Sequence, residues 1–105
     1  MEPEIIYHIT TEAEWHSAQA SGFYMAASLS SEGFIHCSTE TQVEGVLDRY
    51  FNGQPGLVKL AIQVSKLVHP PKYEIASSIS EAFPHVYGVI NIDAVVAVSD
   101  VGDLP

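Results

Sequence analysis

The apolar positions of this chain change period several times, and each change marks an element. Residues 4–10, Glu-Ile-Ile-Tyr-His-Ile-Thr, are β-branched and aromatic and predict a strand. Thr11-Glu12-Ala13-Glu14 then has the Thr-x-x-Glu form of a capping box. It predicts a helix to about Ala20, with Trp15 as a core anchor on the same face as Ala18, and Gly22 placed to stop it. Residues 23–31 read as an irregular connection with small residues. Residues 33–38 predict a second strand, whose period of two puts Phe34, His36 and Ser38 on one face and Ile35 and Cys37 on the other. A second capping pattern, Thr39-x-x-Gln42, precedes Val43, Val46, Leu47, Tyr50 and Phe51. That is the i, i+3, i+4, i+7, i+8 spacing of one buried helical stripe, and Asn52-Gly53 closes it.

Residues 57–64 form a clear strand pattern. Pro70-Pro71 breaks the chain, so residues 72–75 begin a new short segment. Residues 76–83 fit a turn or a short helical piece over Ser80-Glu81-Ala82. Residues 86–90 and 92–98 predict the last two strands, joined near Asn91. No repeat or linker interrupts the 105 residues, so the pattern predicts one α+β domain over 1–105 with more sheet than helix.

Composition narrows the partners. The formal net charge is −9, from 13 acidic and 4 basic residues. Arg49 is the lone arginine, and Lys59, Lys66 and Lys72 are scattered. Neutralising phosphates needs clustered basic groups, so nucleic acid is excluded as a partner, and an anionic membrane surface is disfavoured. No apolar run approaches the roughly 20 residues of a membrane span. The start, Met-Glu-Pro-Glu, lacks the basic and apolar regions of a signal peptide, and one cysteine cannot form an internal disulfide. A cytoplasmic location follows as the expectation.

Candidate chemistry lies in the histidines. His8, His36 and His85 each sit inside an apolar, strand-like segment, where an imidazole needs a partner for each ring nitrogen. Three such demands in a short chain point to one shared polar pocket. Glu74 would complete a three-histidine or two-histidine-one-carboxylate metal site, but no local pair such as His-x-His is present, and no metal is expected. Cys37 adjoins His36 but points to the opposite face, so it reads as a small buried hydrophobe. Ser38 and Ser28 lack the Gly-x-Ser-x-Gly elbow of a serine hydrolase, and no Gly-x-Gly-x-x-Gly or Walker loop occurs. His16 and His69 read as exposed.

Several strings together resemble a family. They are Tyr7-His8-Ile9, the Trp15 helix, Gly22-Phe23-Tyr24, Ser28-Leu29, Glu32-Gly33-Phe34-Ile35-His36-Cys37-Ser38, Tyr50-Phe51-x-Gly53, and Phe83-Pro84-His85-Val86-Tyr87-Gly88-x-Ile90-Asn91. They are similar to the small bacterial DUF952 proteins, whose function is unestablished. The resemblance runs from about Ile6 to Val98. It implies an ADP-ribosyltransferase-like fold, with two small mostly antiparallel sheets, two helices and a cleft that binds NAD without a Rossmann motif. On that resemblance His8 takes the place of the group that bonds the adenosine-side ribose. His36 and Ser38 line the nicotinamide pocket, and Glu74 is the carboxylate that supports an oxocarbenium-like transition state. His85, Tyr87, Gly88 and Asn91 belong to the last string and join the ligand-binding candidates, while Glu74 and His36 are the catalytic ones. The chemistry implied is ribosyl transfer or NAD-glycohydrolase-like cleavage.

One departure matters. The RNA 2′-phosphotransferase branch relies on several arginines, which this chain lacks, and the same shortage weakens recognition of the NAD pyrophosphate. A smaller, nucleoside-like ligand suits the residues better. The alternative is a non-catalytic module whose histidines bind a small ligand or a metal, or sense pH.

Overall fold

The computed structural model describes residues 2–76 and 80–101. The elements are β1 (Ile5–Thr11), α1 (Glu12–Ser21), β2 (Phe23–Tyr24), α2 (Ala27–Ser31), β3 (Ile35–His36), α3 (Val43–Tyr50), β4 (Leu57–Gln63), β5 (Pro71–Ala76), β6 (Glu81–Val86), β7 (Ile90–Asn91) and β8 (Val95–Asp100). Single 3-10 turns occupy Glu40–Gln42, Val64–Lys66 and Ile92–Ala94. The architecture is a small mixed α+β fold with antiparallel sheets and few helices.

Three ladders form among the described residues: β1-β4-β8, β3-β6-β5, and the two-stranded pair β2-β7. All their pairings are antiparallel. The two three-stranded sheets are joined where Tyr7 and Ser38 exchange backbone hydrogen bonds of 2.7 Å in both directions.

The period of two in β1 decides what each residue meets. Ile6 points into the main core with Val58, Leu60 and Ile62 of β4, Ile35, Val86 and Ile90. Trp15 and Ala18 of α1 close that core from one side, as their helical spacing predicts. Tyr7 and Ile9 point the other way, toward Val43 and Leu47 of α3 and Phe51 just past its end. Burying such side chains contributes roughly 1.5–3 kcal/mol each.

Both capping patterns act, and both fix element starts. Thr11 Oγ1 accepts the Glu14 N–H at 3.1 Å, and Gly22 takes the left-handed conformation (φ +93°) that ends α1. Thr39 N–H donates to Gln42 Oε1 at 2.9 Å, while Gln42 Nε2 donates to the Ala82 carbonyl at 2.7 Å. The second contact ties the start of α3 to β6.

The structure departs from the sequence reading in identifiable places. Residues 27–31, expected to be irregular, form the short helix α2, tethered by Ser28 Oγ donating to the Phe34 carbonyl at 2.8 Å. Among the described residues there are thus three α-helices, not two, and the β2-β7 ladder adds to the two sheets. Glu81 and Ala82 are extended, because they pair with Ala76 and Ile75 in a β5-β6 hairpin. The expected turn itself falls on residues 77–79, outside the described residues. The strand expected over 86–90 does not form: β6 ends at Val86, Ile90–Asn91 form the short β7, and Ile92–Ala94 turn before β8 begins. Tyr50, placed in the buried stripe by spacing, is exposed beside the Arg49 guanidinium, 5.8 Å from the ring centre.

Pro84 sits within β6, the central strand of its sheet, a position that the missing N–H usually forbids. Its carbonyl still serves, accepting the Cys37 N–H at 3.0 Å. Cys37 is fully buried there, and burial pushes its thiol up to about 12. Among the described residues no helix is long and apolar enough to cross a membrane.

Candidate functional site

Register brings the chemistry of three strands onto one face. In the β3-β6-β5 sheet His36 lies directly opposite His85, His85 opposite Lys72, and Phe83 opposite Glu74. Directly paired residues point to the same side, and so do residues two apart. His36, His85, Lys72 and Glu74 therefore share a face, joined by Phe34 and Tyr87 at the strand ends. The opposite face carries Ile35 and Val86, both wholly buried.

On that face the side chains interlock. The His85 ring stacks on Phe34 with centroids 4.0 Å apart and planes 17° from parallel. His36 meets His85 edge-on at 5.3 Å, and Tyr87 lies 5.3 Å from Phe34. One Glu74 oxygen, Oε1, accepts both the Tyr87 hydroxyl and, at 2.7 Å, the Nδ1–H of His85. The Tyr87 hydroxyl and then the His85 bond hold the Glu74 carboxyl below its ordinary range, so it is ionised at neutral pH. The same bond pushes the Tyr87 hydroxyl upward. With Nδ1 committed to Glu74, the other ring nitrogen of a neutral His85 is a proton acceptor, and among the described residues it has no hydrogen-bond partner. His36 is half-exposed and has its own carboxylate, Glu32, at 3.1 Å from Nε2. Lys72 places its ammonium 5.6 Å from the Tyr87 ring centre.

His8 is placed differently. It is buried, and both ring nitrogens are taken inside the protein: Nδ1–H donates to the His36 carbonyl, and Nε2 lies 2.8 Å from the Tyr24 hydroxyl. Tyr24 in turn lies 3.0 Å from Thr10 Oγ1, which is 2.7 Å from Glu14 Oε1. Burial pushes His8 down to about 4, so it is neutral. The shared pocket predicted for three histidines is thus a site for two, with His8 bracing the His36 backbone from behind.

The other predicted residues divide in the same way. Ser38 is buried at the junction of the two sheets. Asn91 spends its amide on the neighbouring loop, accepting from Val68 N–H and donating to the Lys66 carbonyl and Asp93. Gly88 lies under the exposed His69 ring, and a Cβ there would come within 2.5 Å of it. Tyr50 lies on α3, which packs on the outer face of the other sheet. His16 is exposed, as its place on α1 predicts. Among the described residues no group of three or more His, Cys, Asp or Glu side chains is arranged to hold a metal ion.

Two contributors carry weaker signals in the sequence. Phe34 shares the His36 face by its spacing of two, which is the signal for a stacking partner. Glu32 returns to His36 through the tight Glu32-Gly33 bend, which has no period to read.

The fold and these strings have counterparts. A family model described as "Protein of unknown function (DUF952)" matches residues 9–98. The crystal structure of protein CC0527 from Caulobacter crescentus is similar, with a TM-score of 0.83 and 33% identity over 91% of this chain and 84% of that one. Its solution NMR structure gives a TM-score of 0.79 and 32% identity, covering 93% and 84%. No curated protein matches the chain.

Proposed function

We propose that this chain, which belongs to the DUF952 family of proteins of unknown function, binds a small nucleoside-like molecule on the Phe34, His36, Glu74, His85 and Tyr87 face. One observation carries the reading: an ionised carboxylate fixed by two donors, one of them a histidine whose second nitrogen is left to act. Cleaving a ribosyl or glycosidic bond builds positive charge on the sugar, and a fixed carboxylate stabilises it. His85 would take up the proton of the incoming hydroxyl, and His36 would meet the leaving base. Phe34 and Tyr87 offer the faces on which a flat ring stacks.

In this reading the fold is related to the ADP-ribosyltransferase-like proteins, supported by its two joined antiparallel sheets and by the sequence strings. NAD is the larger candidate ligand, with Lys72 as the nearby cation for a phosphate. His8, Ser38, Gly88 and Asn91 hold the backbone around the site and do not touch the ligand. A cytoplasmic setting belongs to the same proposal, supported by the lone, unpaired Cys37.

The test is thermal unfolding with adenosine, nicotinamide, ADP-ribose and NAD. A binder at a hundred times its Kd adds about 2.7 kcal/mol, a shift of roughly 10 °C or more for a domain of this size. Glu74→Gln keeps the shape but removes the charge. It is expected to lower any glycosidic turnover at least about a hundredfold, the scale of one lost electrostatic contact. Absence of a shift with all four compounds at millimolar concentration overturns the reading. Binding without turnover would instead favour the non-catalytic module.

A further inference from the structure

A cleft of about 280 Å³ lies between α1 and β2, on the far side of His8 from the histidine face. Glu14, Ser17, Ala18 and Ser21 line it at the i, i+3, i+4, i+7 spacing of one helical face, and Phe23, Tyr24 and Met25 form the opposite wall. No Lys, Arg or His is among its lining residues. Phe23 and Met25 are large apolar side chains left 43% and 55% exposed at its edge.

This wall is one hydrogen short. Four contacts run in series: the His36 carbonyl to His8 Nδ1, His8 Nε2 to the Tyr24 hydroxyl, that hydroxyl to Thr10 Oγ1, and Thr10 Oγ1 to Glu14 Oε1. Neutral His8, Tyr24 and Thr10 supply one hydrogen each, which is three for four contacts. Both ends of the series, a carbonyl and a carboxylate, only accept. One contact is therefore left without a hydrogen. The Ser21 hydroxyl adds no donor to the cleft, because it donates to the Ser17 carbonyl at 3.0 Å. The wall is rich in acceptors and carries negative charge.

We infer that this cleft is a second binding site, separate from the histidine face, for an organic ammonium carrying an apolar group. The ammonium brings a hydrogen to the short series at its exposed end, Glu14, and its charge matches the carboxylate. The apolar group covers Phe23 and Met25. An anion would meet Glu14 with no opposing cation, so anionic ligands are excluded from the cleft.

The experiment uses 2-phenylethylamine as probe and 2-phenylethanol as its uncharged counterpart, followed by amide NMR shifts of the whole chain. The amine is expected to move the signals of Ser17, Ser21, Tyr24 and Met25 and to bind at least about tenfold more tightly than the alcohol. Glu14→Gln removes the charge while its amide supplies the missing hydrogen to Thr10. It is expected to erase the tenfold preference with no loss in thermal midpoint. Ser17→Leu leaves the hydrogen-bonded series intact but fills the cleft, and is expected to abolish both probes' shifts. Equal affinity for amine and alcohol, a preference that survives in Glu14→Gln, or shifts confined to His36 and His85 would each overturn the inference.

Discussion

Acidifying the protein from pH 7 to pH 4 will cost about 3 kcal/mol of folding stability through His8 alone. In the fold this ring is buried and neutral, protonating only near 4, against 6.5 in the unfolded chain. The unfolded state therefore binds the proton first. The contribution is complete above about pH 6.5 and is lost as pH falls from there toward 4. Against a total of roughly 5–15 kcal/mol for a domain, that loss is large. Urea unfolding at a series of pH values measures it, and the slope should flatten in His8→Gln. Glu74 acts in the same direction, since its carboxyl is also held low, but it is solvent-facing and its share is small. Parallel pH curves for the wild type and His8→Gln would remove His8 as the source.

Truncating Ile35 should be the most damaging change to the candidate site that touches none of its chemistry. Ile35 is wholly buried opposite Val86, directly beneath the face that carries Phe34 and His36. Ile35→Ala is expected to lose about 2–5 kcal/mol, combining lost transfer energy with the cavity left behind. The midpoint should fall by at least about 8 °C. The vacated space also lets β3 shift against β6, so NMR contacts between His36 and His85 should weaken. Ile75→Ala is the control: Ile75 is 66% exposed, and its truncation should stay within about 0.5 kcal/mol. A loss of under 1 kcal/mol for Ile35→Ala would mean that this sheet is not packed as described.

Much of the arrangement was legible in local pattern. Alternation in residues 33–38 put Phe34 and His36 on one face and Ile35 and Cys37 on the other, as observed. It also put Ser38 with His36, but Ser38 is buried where the two sheets meet. Both helix starts followed from side chains within four residues of each other. The pairing of His36 with His85 was not legible, because register between strands 49 positions apart is set by the whole sheet. The fate of His8 was hidden for a related reason. A mid-strand histidine signals a need for partners, yet nothing local says that Tyr24 and a backbone carbonyl will meet it. Helix α2 escaped because Ala27-Ser28-Leu29-Ser30-Ser31 is too short for a period and has no side-chain cap.

Cys37 turns the packing of this fold into a clock. Its thiol is sealed beneath β6 and holds its proton to about 12, so in the folded chain it barely reacts. A thiol reagent in excess therefore waits for the centre to open. With one cysteine in the sequence, every labelled molecule reports one such opening, with no engineered probe. Labelling at neutral pH is expected to run at least about a thousandfold slower than in urea-unfolded chain, the suppression set by a stability of several kcal/mol. Labelling at the unfolded rate would show that the seal over Cys37 opens without the rest of the core.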